Sequence, residues 1–292
     1  MNCLRSDQPK TLVFTATYNE INNVEPLVDE ISQAAPLADI LIVDDDSPDG
    51  TGQKLDQLKL SYPNLSVIHR GRKKGLGTAH SLAIIYAIKN EYDVLVTMDA
   101  DRSHSPFDIP RLIERLSDQN QGACDFVIGS RYMKGGSCDY GGYRKLLSVG
   151  GNWLTRITTG IPIHEFTTSF RAFRVAKLKN LNMHWMKNRG YSFFLEVATQ
   201  LHCSGLQFAE VPIHFYDRSS GDSKIPRLEI FRGMKKLLAL NLVRIFPFIY
   251  IGKARIEDGF CPDCSGVYLY KLISSNGSKC THCLTCNAEF ES

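Results

Sequence analysis

Short apolar runs alternate with segments of helical spacing along the first half of the chain. In the segment 22–35, for example, Val24, Leu27, Val28 and Ile31 recur at the three- and four-residue intervals of an amphipathic helix. By these criteria the sequence predicts strands at 11–15, 40–43, 65–69, 94–98 and 126–129, and helices at 22–35, 51–60, 75–89 and 106–116. Strands separated by helices predict an α/β fold with a mixed, mostly parallel sheet.

Polar clusters follow three of the predicted strands. Tyr18 and Glu20 follow the first, Asp44 to Asp46 follow the second, and Asp99 and Asp101 follow the fourth. Ligands of such sheets bind beyond the carboxyl ends of the strands, so the three clusters are expected to converge on one site. A bound cation, or hydrogen-bond donors of a ribose and a base, would relieve the repulsion between the carboxylates.

The pair Asp99 and Asp101 has the chemistry of a divalent-cation site. Mg²⁺ prefers oxygen ligands and is usually shared between one or two carboxylates and substrate phosphates. Such an ion would hold a diphosphate and stabilise it as a leaving group. The alternative is an acidic turn or helix cap, because Asp caps helices well. The two other acidic strand ends favour the metal.

Composition and motifs exclude several classes of protein. The chain has 292 residues, 22% of them charged, and its net charge of +3 is too small to predict a nucleic-acid partner. No glycine follows the first strand, where a dinucleotide-binding turn would need it, and no GxxxxGK[ST] loop is present. The segment 1–10 lacks the apolar region of a signal peptide, and no uncharged stretch has the length of a membrane span. A cytoplasmic protein, peripheral on the cytoplasmic face of a membrane, is therefore expected.

An ordered series of motifs resembles the dolichyl-phosphate mannosyltransferases and their bacterial polyprenyl-phosphate relatives. The motifs are ATYNE (16–20), VDDDSPDGT (43–51), GLGTA (75–79), DADRSHSP (99–106), GSRY (129–132), FTTSFRAF (166–173), GYSFFLE (190–196) and DRSSGDSK (217–224). The resemblance covers about residues 10–236 and implies a GT-A glycosyltransferase domain over 1–236. It also implies inverting transfer of a hexose, first of all mannose from GDP-mannose, onto a polyprenyl or dolichyl phosphate.

The resemblance implies roles for individual residues. The nucleotide-sugar donor maps to Ala16, Tyr18, Glu20, Val43, Asp45 and Ala100, and the metal, Mg²⁺ or Mn²⁺, maps to Asp99, Asp101 and Ser103. The acceptor phosphate maps to Arg131, Arg144 and Ser148, and a loop over the donor diphosphate contains Arg218 and Lys224. The family usually has proline in place of Ala16.

The spacing of Arg144, Ser148 and Asn152 agrees with the acceptor assignment, because residues four apart share one helix face. An acceptor phosphate is ionised at neutral pH, so catalysis is expected to depend on positioning and electrostatics without a strong general base. The family commonly has Asp and Gly in the segment 165–169, where this chain has Glu165 and Thr168. The sugar therefore stays open, with UDP-glucose as the next donor, and a non-lipid acceptor is a further alternative.

The C-terminal part has a different character. Basic and apolar residues within 237–258 predict a membrane-interface helix and a linker, although a helix packed on the enzyme's own core has a similar pattern. Within 259–292, Cys261 and Cys264 pair with Cys283 and Cys286 at the spacing of a structural zinc ribbon, with Cys280 as the alternative ligand. The ribbon is expected to be structural or to dock a partner, such as a membrane subunit.

A scaffold or regulatory protein with an inactive sugar site is the alternative from another functional class. The zinc ribbon favours it, because such modules often bind proteins or nucleic acids. Asp99, Asp101, Arg131 and Lys224, all intact in this chain, argue against it.

Overall fold

The computed structural model describes residues 8–118, 120–179, 181 and 192–217, and the backbone of four strands between 254 and 291. The first nine strands are β1 (Thr11–Thr17), β2 (Asp39–Asp44), β3 (Leu65–His69), β4 (Val94–Asp99), β5 (Phe126–Ser130), β6 (Ser137–Cys138), β7 (Arg171–Arg174), β8 (Phe208–Pro212) and β9 (His214–Phe215). The helices are α1 (Val24–Ala34), α2 (Thr51–Ser61), α3 (Leu76–Lys89), α4 (Ile109–Ser117), α5 (Gly142–Thr159), α6 (Val175–Leu178) and α7 (Ser192–Cys203).

Seven of these strands form one mixed sheet in the order β3-β2-β1-β4-β7-β5-β8. Strands β1 to β4 are parallel to their neighbours among themselves, and β8 is parallel to β5. Only β7, between β4 and β5, runs antiparallel to its neighbours in this sheet. The predicted α/β fold with a mostly parallel sheet is thus confirmed, and β7 and β8 are the strands of this sheet that the pattern did not predict.

Both faces of the sheet are buried. Along β1, Leu12 and Phe14 belong to one apolar cluster and Val13 to the other, as the two-residue period of a strand requires. The first cluster includes residues of α3, α6 and α7, and the second includes residues of α1, α2 and α4. This double burial explains why the strands read as continuous apolar runs.

The predicted elements agree with the observed ones to within a few residues. The predicted helix at 106–116 is divided: Pro106–Asp108 forms a 3₁₀ turn and α4 follows it. No helix within the described ranges is both long and apolar enough to cross a bilayer.

A separate antiparallel sheet lies near the end of the chain. Its strands, in order, are β10 (Ala254–Glu257), β11 (Leu269–Ile273), β12 (Lys279–Cys283) and β13 (Glu289–Glu291). Strand β10 lies in the range predicted to be helix and linker, so this sheet begins before residue 259. The remainder of the predicted interface helix, residues 237–253, lies outside the described residues.

Candidate active site

The ends of three parallel strands meet at one edge of the large sheet. In register, Ala16 of β1 lies between Val43 of β2 and Asp99 of β4. The residues that follow these strands include Asn19, Asp46 and Arg102, each with a φ close to +60°. Positive φ is uncommon outside glycine and concentrates at sites where the chain must turn sharply. The predicted convergence of the polar clusters is therefore present in the fold.

The turn after β1 is held by hydrogen bonds from the loop after β2. The Glu20 amide donates to Thr51 Oγ1 at 3.0 Å, and the Ile21 amide donates to Asp49 Oδ2 at 3.1 Å. Burial alone would raise the pKa of Asp49, but hydrogen bonds from Thr51 and Ile21 lower it below its usual value. On the outer side of this turn, Lys73 Nζ lies 3.7 Å from the centroid of the Tyr18 ring.

Two of the predicted carboxylates are bound by the protein itself. Asp44 accepts hydrogen bonds from Thr17 Oγ1 at 3.1 Å and from Ser47 Oγ at 2.5 Å. Asp45 forms a buried ion pair with Arg70, whose Nε donates to it at 2.5 Å, and it also accepts the Gly75 amide at 3.0 Å. Internal donors thus relieve part of the repulsion for which the sequence suggested a ligand. Arg70 was not predicted, and its partner lies 25 residues away along the chain.

The carboxylates of Asp99 and Asp101 stand at the end of β4. Asp101 is buried, and its Oδ1 accepts the Ser103 amide at 3.1 Å and the Ser103 hydroxyl at 2.6 Å. Ser103 is fully buried, so its contacts support a role in orienting Asp101. Nowhere in the described ranges do three or more His, Cys, Asp or Glu side chains group to hold a metal ion. Two carboxylates at a strand end fit a cation that is shared with substrate phosphates.

His104 connects this strand end to the segment before β7. The Asp99 amide donates to His104 Nδ1 at 3.3 Å, and His104 Nε2 lies 3.1 Å from Thr168 Oγ1. Burial lowers the pKa of His104 to about 4, so the ring is neutral at pH 7. Because Nδ1 accepts from an amide, the ring proton is on Nε2, which donates to Thr168. The ring also packs against Phe170 and Phe215. No role was predicted for His104 from the sequence.

Arg131 is fixed by a buried carboxylate. Its Nε donates to Glu165 Oε2 at 2.8 Å, and its Nη2 donates to Glu165 Oε1 at 3.3 Å and to Thr167 Oγ1 at 3.0 Å. Burial would lower the pKa of Arg131, but Glu165 raises it well above its usual value. Within the described part of the chain, Nη1 has no hydrogen-bond partner. The guanidinium therefore has one fixed edge and one edge that can meet a ligand.

Helix α5 brings Arg144 near Arg131, because both guanidinium carbons lie over the Tyr140 ring, at 4.6 and 5.6 Å from its centroid. The Arg144 guanidinium lies 3.5 Å from Asp217 Oδ1, and both side chains are largely exposed. About two turns after Arg144, Asn152 accepts the Phe166 amide at 2.7 Å, which ties the helix to the segment that contains Glu165. The structure thus brings Arg131 and Arg144 together, and Ser148 lies one turn after Arg144 on the same helix.

The carboxylate end of the site and the arginine cluster meet at Phe215. Its ring centroid is 4.4 Å from the Arg131 guanidinium carbon and 5.3 Å from the His104 ring. The backbone of 103–104 pairs with 215–216 through a bridge and a 3.0 Å hydrogen bond. The predicted loop residues Arg218 and Lys224 lie outside the described residues.

Fold and site together define a class of protein. A sheet of this topology with paired carboxylates at a strand end, no glycine-rich turn after β1 and a cationic cluster beside the carboxylates is suited to transfer from a nucleoside-diphosphate donor. Residues 12–181 match Glycosyl transferase family 2, and the chain belongs to this family. It is a glycosyltransferase.

Relatives of the chain include three enzymes of lipid-phosphate mannosylation. Polyprenol monophosphomannose synthase of Mycolicibacterium smegmatis is 37% identical over 78% of this chain and 85% of its own length. Undecaprenyl-phosphate mannosyltransferase of Micrococcus luteus is 36% identical over 74% and 87% of the two chains. Dolichol-phosphate mannosyltransferase of Pyrococcus furiosus is 34% identical over 86% and 71%.

Solved structures share the fold at low sequence identity. Glucosyl-3-phosphoglycerate synthase of Mycobacterium tuberculosis, in complex with Mn²⁺, UDP-glucose and phosphoglyceric acid, is 19% identical with a TM-score of 0.58 over 81% of this chain and 79% of that one. A mannosyltransferase of Pyrobaculum calidifontis, in complex with GDP-Man and Mn²⁺, is 16% identical with a TM-score of 0.53 over 85% and 77%. They support a GT-A-like fold.

Proposed function

We propose that this enzyme transfers mannose from GDP-mannose to a polyprenyl phosphate, with inversion at the anomeric carbon. The observation that carries the proposal is the contact between the two halves of the site. Phe215 contacts His104, whose ring accepts the Asp99 amide, and it also contacts Arg131 of the arginine cluster. A donor diphosphate and an acceptor phosphate can therefore be held side by side. The names of the three relatives support mannose as the sugar and a polyprenyl phosphate as the acceptor.

Asp99 and Asp101 would hold Mg²⁺ or Mn²⁺, and Ser103 would orient Asp101. The Oδ1 of Asp101 accepts both the amide and the hydroxyl of Ser103, and these two bonds fix the orientation of the carboxylate. A divalent ion, when bound, offsets the charge of the departing nucleoside diphosphate. Mn²⁺ or Mg²⁺ accompanies UDP in structures of the neighbouring glucosyl-3-phosphoglycerate synthase.

The acceptor phosphate is the nucleophile in the mechanism that we propose. Its oxygen forms the new bond to the anomeric carbon while the bond to the donor diphosphate breaks on the opposite face. Arg131, Arg144 and Ser148 orient that oxygen, and Arg is suited to the task because its planar fork donates two hydrogen bonds. Arg218 and Lys224 are proposed to offset the charge of the leaving nucleotide. Tyr18, Glu20 and Asp45 are proposed to bind or shape the nucleoside end.

Helix α5 supports peripheral contact with a membrane because it buries polar residues and exposes apolar ones, the reverse of an ordinary surface helix. It buries Asn152, Thr155 and Thr159 against the protein. Its large apolar residues point outward, and they are Tyr143, Leu146, Leu147, Trp153, Leu154 and Ile157. A helix with an apolar face and basic flanks lies in the membrane interface. We propose that this face, which we call the α5 apolar face, rests on the bilayer that supplies the acceptor.

Vesicle co-sedimentation tests the membrane contact. Trp153 is 64% exposed and Leu146 is 70% exposed. Glutamate at both positions is expected to abolish binding to anionic vesicles. Leu60→Glu, at a position 87% exposed on α2, is the matched control and should bind like the parent chain. Unchanged binding of the double variant, combined with loss on deleting 237–251, would move the contact to that segment.

The C-terminal sheet is proposed to be a zinc ribbon. Strand β12 contains both Cys280 and Cys283, and it is paired with β11 along its whole length. Since a CxxC zinc knuckle is a turn, Cys280 and Cys283 in one continuous strand are a poor pair. Cys283 with Cys286 is the better one. Cys261, Cys264 and Cys286 lie outside the described residues. Zinc content measured on Cys283→Ser and Cys280→Ser tests this choice, because only the first should lose the metal.

A donor screen tests the enzyme proposal. The protein is incubated with Mg²⁺ or Mn²⁺, a short polyprenyl phosphate, and labelled GDP-mannose or UDP-glucose in turn. Label is expected in the organic phase with GDP-mannose, and the transfer should be lost in Asp101→Ala. Transfer from UDP-glucose alone would change the sugar. Metal-dependent nucleotide binding without lipid product would favour a non-lipid acceptor, and no nucleotide binding would favour the scaffold alternative.

A further inference from the structure

Two tyrosines stand between the residues proposed to bind the acceptor phosphate. Tyr132 follows Arg131 in the loop after β5, and Tyr140 precedes α5. Their hydroxyl oxygens are 2.7 Å apart, so one donates to the other. Neither tyrosine belongs to the two apolar clusters that flank the large sheet. Tyr140 is buried all the same.

The Tyr140 ring holds two cations near each other. The Arg144 guanidinium carbon lies 4.6 Å from its centroid and that of Arg131 lies 5.6 Å from it. Arg131 is also 5.1 Å from the Tyr132 centroid. Aromatic faces attract guanidinium groups, so the rings fix where both charges lie. The Arg144 side chain is 47% exposed, which leaves this cluster accessible from outside.

The two tyrosine hydroxyl groups form a hydrogen-bonded pair just before the start of α5. The Tyr132 hydroxyl is hydrogen-bonded to that of Tyr140, and Ser148 lies one helical turn after Arg144 on α5. Burial raises the pKa of Tyr132 well above its usual value, so the phenol keeps its proton at neutral pH. One hydroxyl proton of the Tyr132–Tyr140 pair is used in their mutual bond, so the pair presents one neutral O–H donor beside two guanidinium groups. This combination binds a phosphate monoester, because each phosphate oxygen accepts from charged and neutral donors.

The two carboxylates near Arg131 and Arg144 do not prevent these arginines from binding an anion. Glu165 is buried and occupies only the Nε and Nη2 edge of Arg131. Asp217 pairs with Arg144 between two exposed side chains at 3.5 Å, and such pairs are weak. An arriving phosphate can replace Asp217 without breaking the buried pair.

We propose that Tyr132 and Tyr140 are positioning residues of a phosphate-monoester site formed with Arg131, Arg144 and Ser148. Tyr140 holds Arg144 beside Arg131, and Tyr132 fixes the Tyr140 ring through the hydrogen bond between their hydroxyl groups. The identity of the ligand as the headgroup of a lipid acceptor rests on the proposed function. The existence of the anion site does not.

Calorimetric titration of the full chain tests this inference without catalysis. The probes are inorganic phosphate and a water-soluble short-chain polyprenyl phosphate, with no donor present. Tyr140→Leu removes the ring and is expected to weaken polyprenyl-phosphate binding about tenfold. Tyr140→Phe keeps the ring and should restore affinity to within about threefold of the parent chain. Tyr62→Leu, at the opposite edge of the sheet before β3, is the matched control and should bind as the parent does.

Several outcomes would overturn the inference. Equal affinity of Tyr140→Leu and the parent chain excludes the positioning role, and so does equal weakening by Tyr140→Phe and Tyr140→Leu. Should Tyr140→Leu not fold, Tyr132→Phe decides the matter, with an expected weakening of about threefold. Inorganic phosphate bound as tightly as the lipid phosphate would reject a lipid acceptor while retaining the anion site. A parent chain that transfers sugar but binds neither probe would reject the anion site alone.

Discussion

The buried pair of Arg131 and Glu165 gives the most demanding prediction for stability. The Glu165 side chain is fully buried, Arg131 is 9% exposed, and two hydrogen bonds join them. Removing one partner of such a pair leaves a buried charge without compensation, which typically costs about 3–5 kcal/mol. Glu165→Gln retains one acceptor for the guanidinium. We therefore expect a loss near the lower limit, about 3 kcal/mol in the free energy of unfolding.

Equilibrium unfolding in urea measures this loss, and two further variants sharpen it. Glu114→Gln makes the same change at an exposed position on α4 and should alter the free energy of unfolding by less than about 0.5 kcal/mol. Replacing both partners, as Arg131→Met with Glu165→Leu, removes the charges together. Apolar replacement of a whole buried pair is often neutral. The double variant should therefore be more stable than Glu165→Gln.

The result that refutes this reasoning is equally definite. If Glu165→Gln costs less than about 1 kcal/mol, the pair is not shielded from water as the structure shows. If the double variant is the less stable of the two, the pair contributes net stability. Glu165 would then be needed for the fold more than for orienting Arg131.

Three further predictions concern protonation, metal and anion. The buried His80 ring has its pKa lowered to about 3 by burial, so the unfolded chain binds a proton there between about pH 6.5 and 3 while the native chain does not. The free energy of unfolding must therefore decrease as the pH is lowered through that window. His80→Leu should reduce this decrease between pH 7 and 4.5 by about 3 kcal/mol in urea titrations, with His202→Leu as control. Ser103→Ala should raise the Mn²⁺ concentration for half-maximal transfer about tenfold, because Ser103 orients Asp101. Asp217→Asn should tighten polyprenyl-phosphate binding about two- to fivefold in calorimetry by releasing Arg144 from its exposed pair.

The fold and the strand-end clusters were predictable because their signals are local. A strand is a short apolar run, and the polar residues directly after it must lie at its carboxyl end. Parallel neighbours then bring Glu20, Asp45 and Asp99 to one edge, whatever the details of packing. Strand β7 escaped prediction because its residues, Arg171 to Arg174, carry two arginines in a four-residue strand. Arg171 is buried only because it donates to the backbone carbonyls of Phe166, Thr168 and Phe194.

The partners of the site residues were not predictable, because each lies far away in sequence. Arg131 meets Glu165 at a separation of 34 residues, and Arg70 meets Asp45 at 25. No local pattern encodes such a pairing. One local signal in the sequence, the spacing of residues along α5, was used only for the polar face of that helix. The helical spacing that placed Arg144 and Ser148 on one face of α5 also places Leu146 and Trp153 on another.

That division of α5 into two faces relates acceptor binding to the membrane. The same helix carries Arg144 and Ser148 on the face that continues to the buried Asn152, and it exposes the α5 apolar face. A helix is about 10 Å across, so phosphate-binding groups on one face lie about one helix diameter from whatever the other face touches. With the apolar face on the bilayer, as proposed, the phosphate is bound near the headgroup level and the apolar tail need not leave the membrane. Arg131 is held by a buried carboxylate, so its guanidinium defines a fixed position for the phosphate. Arg144 is held by an exposed carboxylate, so it can exchange that partner for the phosphate when the phosphate binds.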